Sequence, residues 1–503
     1  MVAVAYTVAF EGIDARLVEV QCAVSPGLPA FNLVGLPDKA VSEAKERVRA
    51  ALTAMHIALP PKRITLNLSP ADLPKEGSHF DLPIALALLA ALDVIPTEDV
   101  ASTVALGELS LDGSLVSVIG ALPAAMAAAQ ENRSLMCPKG CGAEAAWVDA
   151  VNVLAPDSLL QAIQHFTGQS VLPSSEPGTV TRANGHRDMA EVKGQERAKR
   201  AIEIAAAGRH HMMMIGTPGS GKSMLAARIP GILPDLTPGE ALETSMIHSL
   251  SGLLDEGGIN RTRPFQDPHH TASMAAIVGG GRGAKPGQIS LAHNGVLFMD
   301  EFPEFPRTVL DTLRQPIETG EVVVARANAH VRYPCRFMLV AAANPCKCGY
   351  FTDPNRACAR VPMCGEDYLG RISGPLMDRF DLRVDVPPVD YTDLDLPADG
   401  ECSAQIAQRI VSARKIQSTR YAAIDGIGVN ADAEGSILEE HATPDAQGRA
   451  MLNKAAEAFG LTARGYHRVL RVARTIADLD GSATIGQPHI AEALSFRIPA
   501  QTT

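Results

Sequence analysis

Gly216-Thr217-Pro218-Gly219-Ser220-Gly221-Lys222-Ser223 constrains this chain more than any other stretch, because it fits G-x-x-x-x-G-K-[ST] and follows a short apolar run, Met212 to Ile215. An apolar strand feeding a glycine-rich turn and then a helix, expected to start at about Gly221, is a phosphate-binding unit. Glycines let successive N–H groups turn inward around phosphate, the lysine reaches the β and γ oxygens, and the hydroxyl of Ser223 is placed to ligate Mg²⁺. The helix aims its positive end at the same anion. Such a unit predicts an α/β domain with a parallel sheet.

Two later strands fit the same sheet. Gly295-Val296-Leu297-Phe298-Met299-Asp300-Glu301 is an apolar run ending in two carboxylates. A nucleoside triphosphatase needs one acid beside Mg²⁺ and one to polarise the attacking water, which makes Asp300 the metal-side acid and Glu301 the general base. Phe337 to Ala343 is a second buried-type strand, ending on Asn344, a polar residue suited to orienting water near the γ-phosphate. The expected ligands are therefore ATP and Mg²⁺.

At 503 residues the chain is long enough for about three domains. A hydrophobic content of 46% supports full cores, and no apolar run is long enough to span a bilayer. The amino terminus alternates like a strand and lacks the basic region of a signal peptide, so a cytoplasmic location without membrane contact is expected. A net charge of −11 argues against a protein that coats nucleic acid by bulk electrostatics. A content of 4% aromatics with one tryptophan, Trp147, also argues against extended base-stacking platforms. Any nucleic-acid contact has to be local, as basic loops lining the hole of a ring would be.

The chain divides into four stretches. Residues 1–168 mix strand-like runs, such as Arg63 to Leu68, with Ala/Leu-rich helices at Leu82 to Leu92 and Ala121 to Gln130. Residues 169–186 form a linker with Pro173, Ser174, Ser175, Pro177 and Gly178 and no periodicity. The ATPase core covers 187–389. Residues 390–503 open with an acidic, Pro-containing stretch and continue as helices at Ser403 to Tyr421, Asp445 to Phe459, Tyr466 to Leu479 and Gln487 to Phe496, which suits a helical lid.

Cys346, Cys348, Cys358 and Cys364 crowd into nineteen residues just after Asn344. In a cytoplasmic protein such clustering favours a Zn²⁺ site over disulfides; the alternative is a loop of reduced thiols. Cys22, Cys137, Cys141, Cys335 and Cys402 have no convincing site, with Cys137 and Cys141 a weak pair.

Asp267-Pro268-His269-His270-Thr271-Ala272-Ser273, Gly279-Gly280-Gly281, Pro286 to Gly295, and Arg371-Ile372-Ser373-Gly374-Pro375-Leu376-Met377-Asp378-Arg379-Phe380-Asp381 resemble the magnesium-chelatase-like AAA+ ATPases of the ComM/YifB type. The resemblance covers nearly the whole chain. It implies a core with an insert in its second helix and a hairpin before Asn344, and it makes Asn344 sensor 1. It also implies that Arg379 is an arginine finger completing a neighbouring subunit's site and that Arg464 is sensor 2 in the lid, with Arg371 and Arg468 as rival choices. A finger supplied in trans stabilises charge developing on the γ-phosphoryl group, so hydrolysis would depend on assembly, expected as a hexameric ring. The implied substrate is single-stranded or branched DNA, handled by a helicase that migrates branches in recombination and in the integration of transforming DNA. The alternative is a protein-remodelling or chelatase-type ATPase.

Gly320 to Tyr333 alternates and turns like a hairpin, placing Arg326, His330 and Arg332 where related helicases line a pore. Arg282 and Lys285 in the glycine-rich insert are the other basic candidates, and contacts from such loops to phosphate are independent of sequence. His269 and His270 are expected to be structural, since adjacent histidines point different ways. Relatives carry a paired C-x-C…C-x-C arrangement, from which this chain departs, because Cys358 is followed by Ala359 and Arg360 and the fourth sulfur is displaced to Cys364.

Leu73 to Asp81 and Gly107 to Gly113 resemble the proteolytic domain of Lon-type proteases, with its S5-type α/β fold. Along that pattern His79 occupies the nucleophile's position and Pro123 the lysine's. Even if a shifted register brought Ser78 into place, the lysine would be missing, so a non-proteolytic scaffold is expected.

Overall fold

The computed structural model describes residues 2–181, 187–254, 257–281, 284–325, 330–351, 356–389 and 400–497. Strand alternation organises the first part of the chain. In Arg63–Ser69, Ile64, Leu66 and Leu68 are buried while their neighbours are partly or fully exposed, the period of a strand with one covered face. The strands are β1 (Val2–Glu11), β2 (Asp14–Ser25), β3 (Ala30–Val34), β4 (Arg63–Ser69), β5 (Thr103–Ala105), β6 (Glu108–Leu109), β7 (Leu115–Val116), β8 (Ser134–Met136) and β9 (Val153–Leu154). Seven of them form a mixed sheet in the order β3-β4-β2-β1-β5-β8-β9, and β6 pairs with β7 as a separate ribbon.

The helix Asp81–Ala91 has no polar face and is buried along nearly its whole length. It is tied down at its start. The Asp81 carboxylate accepts from Arg47 Nε at 2.6 Å, from Arg47 Nη2 at 2.9 Å and from the Leu109 N–H at 3.1 Å. Helix Ala121–Gln130 has the bounds its composition predicts.

Further strands are β10 (Val180–Thr181), β11 (Met212–Ile215), β12 (Ile259–Asn260), β13 (Phe265–Gln266), β14 (Gly279–Gly280), β15 (Lys285–Pro286), β16 (Val296–Met299), β17 (Glu321–Ala325), β18 (His330–Pro334), β19 (Met338–Ala343) and β20 (Leu382–Asp385). A five-stranded sheet runs β13-β16-β19-β11-β20 with every pair parallel. All residues of β16 and β19 are buried, as a parallel sheet covered on both faces requires. The C-terminal helices Ser403–Arg420, Ala446–Phe459, Ala463–Leu479 and Gln487–Ser495 do not stand apart from it. Ile406, Ile410, Val469 and Ile476 share one core with Ile202, Met212 and Val340.

The run expected as a linker is pinned along its described part. Ser175 N–H donates to Val153 O, Gly178 N–H donates to Ala143 O, and β10 pairs in parallel with β12. Its backbone donors find partners on two sides, which a composition-based reading misses. Residues 182–186 lie outside the described residues. Among the described residues no helix is long and apolar enough to cross a membrane.

Candidate active site

The loop 216–223 leaves the C-terminal end of β11 and enters a helix of only five residues, Lys222–Ala226. Glycine is required twice over. Gly219 and Gly221 have φ of 79° and 91°, the left-handed region that side chains resist. A Cβ on Gly216 would sit 2.1 Å from the Val386 carbonyl oxygen, so the residue just past β20 lies too close to the loop for any side chain.

Lys222 Nζ donates to the carbonyl oxygens of Gly216 at 2.8 Å and Thr217 at 3.0 Å, and to Asn344 Oδ1 at 3.2 Å. Burial lowers its pKa, partly offset by the nearby Asp300 carboxylate. Ser223 Oγ donates to Asp300 Oδ2 at 2.5 Å, and Asp300 Oδ1 accepts the Glu301 N–H at 2.8 Å. The tips of β11, β16 and β19 thus bring Lys222, Ser223, Asp300, Glu301 and Asn344 together, as their order along the chain predicts. Thr217, Pro218 and Ser220 complete the loop, with Ser220 Oγ 3.5 Å from the lysine.

Two further residues stand beside these acids. Asp267, just past β13, has its pKa raised by burial and by the neighbouring Asp300 carboxylate. Like-charged neighbours of this kind disfavour each other's ionised form. His270, expected to be structural, places Nδ1 3.1 Å from Glu301 Oε2. Glu301 itself has φ of 49° and a half-exposed carboxylate. The sequence carried a signal for both in the run from Asp267 to Ser273, but the run alone does not say which acid it returns to.

The arginines lie elsewhere. Arg379 Nη1 donates to the Pro375 carbonyl at 2.7 Å, and Nη2 lies 2.5 Å from Glu318 Oε1. Arg464, at the start of helix Ala463–Leu479, lies 3.6 Å from the same oxygen. Both bind Glu318 rather than the phosphate loop. Of the rivals, Arg371 pairs with Glu304 at 3.1 Å, and Arg468 is committed to buried Asp381 at 2.6 Å.

β17 and β18 form the expected hairpin, with Val323 opposite Arg332. Arg332 is exposed and stands 3.9 Å from Glu321. Lys285 lies exposed on the neighbouring β14–β15 ribbon, joined to this hairpin by the Tyr333 hydroxyl donating to the Ala284 carbonyl at 2.9 Å. Arg282 and Arg326 lie outside the described residues, as does the side chain of His330.

Cys346 Sγ is 3.0 Å from Cys348 Sγ. The Cys346 thiol also meets Cys364, and Cys358 meets both Cys348 and Cys364, closing a ring of four. Hydrogen bonding from Cys346 pulls the Cys348 thiol down to about 7, whereas burial drives Cys364 up to about 12. Among the described residues no group of three or more such side chains stands at metal-coordinating geometry. The four sulfurs nevertheless form the donor set a tetrahedral Zn²⁺ takes. This turn abuts the phosphate loop, since a Cβ on Gly349 would lie 2.4 Å from the Pro218 ring.

In the first part of the chain, His79 is buried with Nε2 2.9 Å from the Val8 carbonyl, between Phe10 and Phe80. Burial lowers its pKa. Pro123 is buried inside helix Ala121–Gln130.

A parallel five-stranded sheet with a lysine-bearing glycine loop, an acidic strand and a polar-tipped strand defines a P-loop ATPase core. The family described as magnesium chelatase, subunit ChlI, matches residues 188–394. Subunit ChlI of Mg-chelatase matches 18–140, and the ChlI C-terminal family matches 400–497. The competence protein ComM of Haemophilus influenzae is 44% identical over 98% of this chain and 97% of its own length, and the uncharacterised YifB of Escherichia coli is 41% identical over 98% and 96%. The magnesium-chelatase 38 kDa subunit of Rhodobacter capsulatus is 26% identical over 61% of this chain and 86% of its own. The chain belongs to the magnesium-chelatase-like AAA+ ATPases of the ComM/YifB family.

Proposed function

We propose that this chain is the subunit of an ATP-driven hexameric motor acting on single-stranded or branched DNA, a branch-migration helicase that serves homologous recombination and the integration of transforming DNA. The observation that carries it is the joining of the loop to both strand tips, Lys222 to Asn344 and Ser223 to Asp300, in a chain that matches a competence protein end to end. In this reading Gly216 to Ser223 hold the phosphates of ATP, and Ser223 and Asp300 hold Mg²⁺, which when bound neutralises charge on the β and γ oxygens. Glu301 takes the proton from the attacking water and Asn344 orients that water. Arg379 reaches the γ-phosphate of the adjacent subunit as the arginine finger, and Arg464 is sensor 2 in the lid.

Arg332 and Lys285, on ribbons that touch, would meet the DNA backbone together with Arg282, Arg326 and His330. Residues 1–168 are a Lon-like, S5-type scaffold without protease activity, a reading supported by a buried histidine bonded to a carbonyl in place of a nucleophile. Residues 169–186 connect it to the core at 187–389, which carries the helix-2 insert, and 390–503 form the lid. The cysteines hold Zn²⁺, and the protein works in the cytoplasm. The test is migration of a labelled four-way junction with ATP and Mg²⁺. Product forms with the wild type and not with Lys222→Ala; ATP hydrolysis without product in any DNA format points instead to remodelling of a protein or a chelatase-type partner.

A further inference from the structure

Glu318 is a single carboxylate shared by one arginine of the core and one of the C-terminal helices. It lies in helix Arg314–Thr319, and its Oε1 is 2.5 Å from Arg379 Nη2 and 3.6 Å from Arg464 Nη2. Sharing one oxygen places the two guanidinium nitrogens within about 6 Å of each other. Like charges that close repel, the more so because the Arg379 side chain is only 9% exposed. Arg464 is 64% exposed, and among the described residues its ion-pair partner is Glu318. Arg379 has also not spent all its donors. Its Nε is buried without a hydrogen-bond partner, a position that calls for an acceptor. Beside the pair opens a cavity of about 590 Å³ lined by Glu318, Arg464, Arg336 and Arg468 among others, room for a group arriving from outside the protomer.

We infer that Glu318 is a positioning residue, which ties Arg379 of the core to Arg464 of the C-terminal helices and presents them as one receptor for the γ-phosphate bound by the adjacent subunit. The inference rests on the reading of Arg379 as acting in trans and extends it to Arg464. Glu318 touches neither ATP nor the attacking water; it sets where two cations stand before the phosphate arrives, the kind of preorganisation that lowers the barrier without reorganisation at the moment of reaction.

The test is steady-state hydrolysis by assembled Glu318→Gln, Glu318→Asp and mixed assemblies. Glu318→Gln keeps the shape and loses the charge, and is expected to lower kcat about tenfold while the KM for ATP stays within about twofold, because the phosphate loop of the same subunit is untouched. Glu318→Asp keeps the charge and recovers part of the loss. Neither change should unfold a residue that is 42% exposed, which a thermal melt checks. A one-to-one mixture of Glu318→Gln with Lys222→Ala distinguishes a trans role from a local one. In a ring about one interface in four then joins an intact phosphate loop to an intact arginine pair, so activity rises to about a quarter of wild type, above either parent. The same mixture made with Arg379→Ala tests the underlying reading. If Arg379→Ala complements Lys222→Ala and Glu318→Gln does not, the inference about Glu318 is overturned while trans action stands. If neither complements, trans action itself fails. A Glu318→Gln protein that hydrolyses ATP as fast as or faster than wild type also overturns the inference.

Discussion

Arg468→Ala removes the partner of a buried carboxylate, and the cost can be worked from the geometry. The Asp381 side chain is 2% exposed, with Arg468 Nη1 at 2.6 Å, the His211 N–H at 3.0 Å and His210 Nδ1 standing off at 3.7 Å, too far for a hydrogen bond. Burial alone would raise the pKa of Asp381; the Arg468 guanidinium, with the nearby histidines, more than offsets this and holds it well below the usual carboxylate range. Breaking such a pair leaves an uncompensated buried charge, at a cost of about 3–5 kcal/mol. The sign of the pH dependence follows. A depressed folded pKa contributes stability above the unfolded pKa that is lost as pH falls through the folded value. Once Arg468 is gone, burial is left to raise the folded pKa above the ordinary carboxylate value, so the penalty is largest at high pH and shrinks as pH falls through that raised value and Asp381 takes a proton. Urea unfolding followed by hydrogen exchange of amides in Ala463–Leu479 reads it. A loss under about 1 kcal/mol, the range of exposed ion pairs, or a loss equal at acidic and neutral pH, would refute the reasoning. Arg468→Ala/Asp381→Asn should recover part of the loss, since it removes the orphaned charge.

Three further outcomes are expected. Glu301→Gln should still bind ATP in a filter or fluorescence assay but hydrolyse it about 10²-fold or more slowly, since general-base contributions run to that size. Gly349→Ala should weaken nucleotide binding, because its φ of 83° and the 2.4 Å approach of a Cβ to the Pro218 ring force the phosphate loop to shift; binding measured by titration calorimetry checks this against an unchanged melting curve. Metal analysis of protein purified without chelator should find about one zinc per chain, as expected of a four-thiolate site, and Cys348→Ser with Cys358→Ser should remove it.

Gly216 to Ser223, Asp300, Glu301 and Asn344 were legible in the sequence because each is a local event, a glycine run or the polar tip of an apolar strand, and a parallel sheet brings strand tips to one edge. Helix Ala121–Gln130 and the C-terminal helices were legible for the same reason, since their apolar spacing is set within one element. Glu318 was not. It is one acid in a six-residue helix, and its meaning comes from arginines that only folding returns to it. His270 was readable as a letter in a motif but not as the partner of Glu301, and Asp267 gains its role only when β13 is laid beside β16. The backbone partners that Ser175, Gly178 and Val180 meet, within the stretch 169–186 expected as a linker, leave no record in composition.

The central claim is that hydrolysis at Lys222 is harnessed to DNA, and it is tested most directly by steady-state ATPase with Mg²⁺, alone and with single-stranded, duplex and four-way-junction DNA, with Lys222→Ala as the blank. The account predicts stimulation by DNA, greatest with branched forms and reduced in Arg332→Ala. Robust hydrolysis that is indifferent to every DNA would contradict it.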